Sequence, residues 1–191
     1  SDFFENPEKK YHILEGGMRY RFNNQFTLDL SHRYETETDY ITVARDGFTS
    51  DISFVDFKDV TSILSGIYNF TPRINLTLRV RHYWSYVQNK RYAFVDDKGN
   101  AAGETDFLPR ITDNINYFNA DAFFTWDFRY GSRLIVGLKN ALGEVESESI
   151  DGSRHKRYLS NFSKTFDMRH GNEATVRFIY FLDYNQLRRK K

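Results

Sequence analysis

The sequence predicts an all-β chain, an antiparallel transmembrane β-barrel of which about seven strands are visible. Three observations predict it. Seven stretches place apolar side chains on even numbers and polar or charged ones on odd numbers, the period of two that defines a strand. The apolar side of each strand core carries no formal charge, although the chain as a whole is polar, with a mean hydropathy of -0.65. Connections between the stretches alternate between short and long, as in barrels with tight turns on one side of a membrane and long loops on the other.

Each element follows from its own residues. Strand one, Tyr11 to Phe22, sets Leu14, Met18, Tyr20 and Phe22 against Glu15, Arg19 and Arg21. Asn23-Asn24 then closes a tight turn, because Asn tolerates positive φ. Strand two, Phe26 to Tyr34 or further, alternates Phe26, Leu28, Leu30 and Tyr34 with Thr27, Asp29, Ser31 and Arg33. Strand three, Val60 to Phe70, shows Leu64, Gly66, Tyr68 and Phe70 on one face and turns at Thr71-Pro72-Arg73, where a proline marks the end of ladder bonding. Strand four, Ile74 to Trp84, has Leu76, Leu78 and Val80 opposite Thr77, Arg79 and Arg81. Asp96-Asp97-Lys98-Gly99-Asn100 would make a hairpin tip in the long connection that follows.

Strand five, Tyr117 to Phe128, alternates Phe118, Ala120, Ala122, Phe124 and Trp126 with Asn119, Asp121 and Asp127, and Tyr130-Gly131-Ser132 turns it back. Strand six, Arg133 to Asn140, carries Leu134, Val136 and Leu138 on its apolar side. Between 141 and 172 the period changes: Tyr158, Phe162 and Phe166 recur every four residues, which predicts a short amphipathic helix packed against the rim or facing a partner. The last strand, Ala174 to Tyr184, alternates Val176, Phe178, Tyr180, Leu182 and Tyr184 with Thr175, Arg177 and Asp183.

The expected organisation is one transmembrane barrel segment over 1–191 with external loops near 35–59, 87–116 and 141–173. An odd number of strands cannot complete a bacterial single-chain barrel, and open edges are not tolerated in hydrocarbon. The chain is therefore expected to be the carboxyl-terminal part of a larger barrel, or to pair with another chain. The lipid-facing set is Leu28, Leu30, Leu64, Leu76 and Leu78, with Phe124, Trp126, Val136, Phe178 and Tyr180. The lumen-lining set is Arg19, Arg21, Asp29, Arg33 and Arg79, with Arg81, Asp121, Asp127 and Arg177. An Arg or Lys in lipid at mid-depth costs roughly 2 to 4 kcal/mol, which explains the strict separation. The lumen charges are expected either to pair across strands or to line a solute path.

Composition narrows the function classes. Aromatics make up 17% of the 191 residues, with thirteen Tyr and eighteen Phe, an excess that interfacial belts would explain. Net charge is +1 and the one basic run is Arg188 to Lys191, so a nucleic-acid partner is not expected. No cysteine is present, which excludes disulfides and thiolate metal sites. No apolar run approaches the length of a spanning helix.

No enzyme activity and no cofactor are expected. Of His12, His32, His82, His155 and His170, no pair has metal-ligand spacing, and His32 and His82 fall at the interfacial ends of the apolar faces. Asp151, Ser153 and His155 are adjacent loop residues and a poor triad. Asp96, Asp97 and Asn100 fit a plain turn better than a calcium site. Gly16-Gly17 interrupts strand one and would allow curvature or the close approach of a plug.

The segment Phe118 to Lys139, FNADAFFTWDFRYGSRLIVGLK, with YLSNFSKTF (158 to 166) and VRFIYFLDYNQLRRK (176 to 190), resembles the end of a family of large Bacteroidota surface proteins. Those proteins have an amino-terminal domain similar to carbohydrate-binding family 9, followed by a long barrel region of unknown function. The resemblance implies an outer-membrane location and an upstream portion, and brings no catalytic residues. The expected function is an outer-membrane anchor, channel wall or scaffold, in surface glycan or solute handling or as a component of an outer-membrane complex. Its partners would be outer-membrane lipid, the upstream part of the barrel, and other outer-membrane proteins or lipoproteins. The alternatives are a soluble lipocalin-like ligand-binding barrel and an outer-membrane enzyme.

Overall fold

Turn chemistry decides the architecture, because each short connection folds a strand back onto its predecessor. The computed structural model describes residues 9–43, 51–99, 101–105, 111–149 and 157–182. Within them lie β1 (Tyr11–Arg21), β2 (Phe26–Val43), β3 (Asp51–Thr71), β4 (Ile74–Val95), β5 (Ala101–Thr105), β6 (Ile111–Arg129), β7 (Ser132–Ser149), α1 (Tyr158–Lys164) with a 3-10 turn over Thr165–Asp167, and β8 (Gly171–Ile179). All strand pairs are antiparallel, in the order β1-β2-β3-β4-β6-β7-β8, and β5 pairs with the far end of β4. This is one all-β sheet whose main path has seven strands, and it is not closed into a barrel.

The first turn works differently from expectation. Asn23 and Asn24 do not have positive φ; instead the Asn23 Oδ1 accepts from the backbone N–H groups of Gln25 and Phe26, both at 2.8 Å. The side chain satisfies two donors that a left-handed backbone would otherwise have to orient. Gly131, at φ 70, does supply positive φ between β6 and β7. The expected hairpin tip is also present, with Asp96 accepting from Lys98 N through Oδ1 and from Gly99 N through its carbonyl, both at 2.9 Å.

The three long connections 35–59, 87–116 and 141–173 are not loops over most of their described length. β2 continues to Val43, β3 starts at Asp51, β4 runs to Val95, β6 starts at Ile111 and β7 continues to Ser149. Alternation alone could not follow the strands there. A bulge between Glu37 and Tyr40 leaves Asp39 at φ 54 and transfers Tyr40 to the odd-numbered face of β3, opposite Val55. A second irregularity lies between Phe54 and Val55. Polar side chains then occupy both faces, and pairs such as Lys90 with Asp56 at 2.7 Å bridge the strands.

The last strand also differs. It starts three residues earlier than expected, at Gly171, and leaves the ladder after Ile179, where Phe181 N donates to the Ser132 Oγ at 2.9 Å rather than to β7 backbone. Asp183 and Tyr184 lie outside the described residues.

The helix forms as expected and rests on the sheet. Beneath it Val60, Trp84 and Tyr86 form the buried cluster, with Tyr34 and Tyr158 packed against it. Nothing lies within 4 Å of a Cβ built on Gly16, and at Gly17 the nearest atom is the Leu30 carbonyl oxygen at 3.5 Å.

Candidate functional site

The register carries the two side-chain sets onto opposite faces. On the odd face one continuous row runs Arg19, Asp29, Ser65, Arg79, Asp121, Lys139, Glu173 across the whole main path. Cations and anions alternate along it, interrupted once by a hydroxyl. Arg19 Nε meets Asp29 Oδ1 at 2.5 Å, and Lys139 Nζ lies 3.6 Å from Glu173. Asp121 faces Arg79 in the register, and its carboxylate also accepts from Arg81 Nη2, one row further on, at 2.9 Å. These side chains remain partly exposed, so each pair contributes about 0 to 1 kcal/mol to stability. Their more useful property is a fixed pattern of charge.

Other members of the predicted polar set fall outside that row. Arg33 pairs with Glu35 at 2.8 Å towards the opposite end of β2 from its turn, and Asp127 pairs with Arg133 at 2.5 Å beside the β6–β7 turn. Arg21 donates to Asn23 O at 3.2 Å and Asn24 Oδ1 at 3.4 Å, holding its own turn rather than a neighbouring strand. Arg177 stands on exposed β8 opposite Ile135.

The even face contains the apolar set in matching rows. Leu30, Leu64, Val80 and Ala120 form one; Leu28, Gly66, Leu78, Ala122 and Leu138 the next; Leu76, Phe124, Val136 and Val176 another. Towards the short turns this face becomes aromatic. Phe22 stacks on Phe26, Phe26 touches Tyr68, and Phe128 stacks on both Phe178 and Tyr180, with Trp126 against Phe128.

At the other border of the apolar rows α1 covers a buried polar cluster. His82 was expected at an exposed interfacial position, but it is 2% exposed beneath the helix, because α1 folds back over the even face of β4 and β6. Its environment fixes its tautomer. Asn116 Nδ2 donates to Asn161 O at 2.8 Å, which turns Asn116 Oδ1 towards His82 Nε2, also at 2.8 Å. An oxygen can only accept, so Nε2 carries the proton, and in the neutral ring Nδ1 accepts from the Tyr158 hydroxyl at 3.1 Å. That hydroxyl can in turn accept from Ser62 Oγ at 3.0 Å, and Ser62 from His32 Nδ1 at 2.8 Å.

A second chain runs deeper under the helix. The Trp84 indole N–H donates to Asn114 Oδ1 at 2.7 Å, and Asn114 Nδ2 donates to Asn161 Oδ1 at 2.9 Å. Asn161 Nδ2 closes on Arg157 O at 3.0 Å, and Lys164 forms an ion pair with Glu146. Asn114 and Asn116 lie in 87–116, where alternation predicts no strand, and Asn161 and Thr165 lie on the expected helix but outside the apolar spacing that marks its face, so sequence reasoning misses all four. The available signal was the appearance of two asparagines on an otherwise apolar even face, facing a helix with its own asparagine.

On the odd face near the bulge, Tyr40, Thr42, Val55, Phe57, Asp59, Ser85 and Val87 line an open groove. Burial raises the Asp59 carboxyl above its ordinary range, opposed by Ser85 and reinforced by Glu35 directly across the ladder. Among the described residues no group of three His, Asp or Glu side chains is placed to hold a metal ion. Asn100 and the set Asp151, Ser153 and His155 lie outside the described residues.

Fold and site define an antiparallel sheet protein with one apolar exposed face, one charged face and a helix clamped over the border of the apolar one. The chain belongs to the family described as a domain of unknown function, DUF5916, whose model matches residues 1–191. No curated protein matches it, and no solved structure does.

Proposed function

We propose that the sheet is the wall of a transmembrane β-barrel in a bacterial outer membrane, with lipid against its even face and a water-filled lumen against its odd face. In this reading the chain serves as membrane anchor, channel wall or scaffold, without catalysis. The observation that carries it is the exposure of the charge-free apolar rows. Met18, Leu30, Leu78, Leu138 and Val176 all lie open on the even face. Isolated exposed hydrophobics are ordinary, but a continuous apolar face several strands wide calls for something to cover it. The face extends from Phe70, in the aromatic row near the turns, to Ser62 beside α1, roughly 26 Å along β3 at 3.3 Å per residue. The nine residues from 62 to 70 fall within the run of about 9 to 11 with which a tilted strand crosses the hydrocarbon.

Closure needs more strands. With seven antiparallel strands on the main path, β1 and β8 run in the same direction and cannot pair with each other as antiparallel neighbours. An upstream segment or another chain would supply the rest, in keeping with the resemblance to large Bacteroidota surface proteins. Other outer-membrane proteins or lipoproteins remain the proposed partners. Detergent dependence tests the proposal: native protein should leave membranes with detergent and not with high salt or carbonate. Release by carbonate would refute it and favour a soluble ligand-binding barrel.

A further inference from the structure

The helix does not merely cover the polar cluster. Around α1, Asn161, Thr165 and Tyr158 face the sheet, reaching Asn114, Asn116, His82 and Ser62. On one side of that contact face Lys164 reaches up to Glu146, away from the apolar rows. On the other side come Phe162, Phe166 and Leu159, which share a helical edge at spacings of three, four and seven. Phe162 touches His82 and Phe166 touches Phe118. His82 and Phe118 are register partners, in the row next to Val80 and Ala120. The apolar edge of α1 thus borders the apolar rows directly, and it is open: Leu159 is 76% exposed and Phe166 55%. Arg157 immediately before the helix and Arg169 after the 3-10 turn are exposed as well.

We infer that α1 is an interfacial lipid-binding element, with Leu159, Phe162 and Phe166 among the acyl chains at the edge of the bilayer and Arg157 and Arg169 at the level of anionic headgroup phosphates. The inference rests on the proposal that lipid covers the even face. Two features commit the occupant to lipid: the exposed edge joins the apolar face on β6, through Phe118 to Ala120, and the cations flank it at both ends, as in amphipathic helices lying in the plane of a membrane. A short helix without tertiary contacts would not hold in water or at an interface. Here the asparagine cluster holds it flat in place.

The chain contains no cysteine, so single labels are possible. The chain, together with the upstream segment or partner chain that completes its barrel, is reconstituted in phosphatidylcholine vesicles with and without phosphatidylglycerol, and carries a nitroxide at Phe166→Cys, Leu159→Cys, Leu78→Cys or Ser160→Cys. Collision with oxygen and with a water-soluble nickel chelate reads the depth of each label. Labels at 166, 159 and 78 should collide severalfold more with oxygen than with nickel, and the label at 160 should show the reverse. Adding phosphatidylglycerol should deepen the label at 159, and Arg157→Gln with Arg169→Gln should abolish that change. A label at 78 in lipid with those at 166 and 159 in water overturns this inference and leaves the barrel proposal standing. Labels at 78, 166 and 159 all in water overturn both. No response to the anionic lipid overturns the headgroup contact. If Phe166→Cys fails to fold, Leu159→Cys decides the same point.

Discussion

Asn116 Oδ1 lies 2.8 Å from His82 Nε2, and the orientation of that amide is fixed from its other end by the carbonyl of Asn161. One asparagine therefore joins β6, β4 and α1. Replacing it with Leu would leave a buried imidazole N–H and a helix carbonyl without this partner, at a cost of about 1 to 3 kcal/mol. Amide hydrogen exchange should detect the change first in α1, which would open well before β4 or β6.

Trp84 is 2% exposed in the cluster under the helix, while Trp126 stands open on the even face. Trp84→Ala should cost about 3 to 5 kcal/mol, the range for removing a buried aromatic. Trp126→Ala should change stability in detergent far less. In vesicles containing brominated lipid, emission from Trp126, measured in the Trp84→Phe variant, should be strongly quenched.

Asp59 predicts a pH dependence. Its carboxyl titrates higher in the folded chain than in the unfolded one, so the folded state binds more protons between the two values. Its contribution to stability is complete below the ordinary aspartate range and is lost as pH rises through the raised value. Asp59→Asn should flatten that part of the stability-against-pH profile, measured by chemical denaturation of the detergent-solubilised protein. An unchanged profile would contradict the burial of this carboxyl.

The neighbours Thr77 and Leu78 sit on opposite faces of β4, opposite Phe123 and Ala122 respectively. Leu78→Arg should destabilise the membrane-inserted protein by about 2 to 4 kcal/mol, whereas Thr77→Arg should change stability by less than about 1 kcal/mol. Unfolding by denaturant from vesicles measures the difference. Equal effects would mean that the faces do not meet different media.

The charge row makes a separate prediction. Removing the two charges singly and together, as Arg81→Gln, Asp121→Asn and the pair, should reveal a coupling of about 0 to 1 kcal/mol between them. A double-mutant cycle at low and high salt checks this, and the coupling should shrink as salt rises.

How far the sequence reveals this structure depends on where the side chains face. Where one face is apolar, as from Ile74 to Val80, alternation identifies strand, face and register, since a slip of one residue would exchange every side chain between faces. The helix at Tyr158 was legible for the same reason, through a different period. Beyond Glu37 and Trp84 that information fades. Asp39 at positive φ shifts the alternation by one, and a strand such as Tyr86 to Val95 looks like a loop because the polar run Gln88 to Arg91 breaks the alternation before the buried Tyr92 and Ala93. The asparagine cluster was hidden because its members come from three distant segments, and only the fold-back of α1 unites them.

The length of the strands bears on what the cell's surroundings would encounter. β4 has 22 residues, and only its first part carries the apolar rows. In the proposed orientation, Tyr83 to Val95 would rise roughly 40 Å along the strand beyond the hydrocarbon. Antibodies or phage approaching such a molecule would land on a stiff hydrogen-bonded parapet, with sequence variation there limited by cross-strand pairing in a way that floppy surface loops escape.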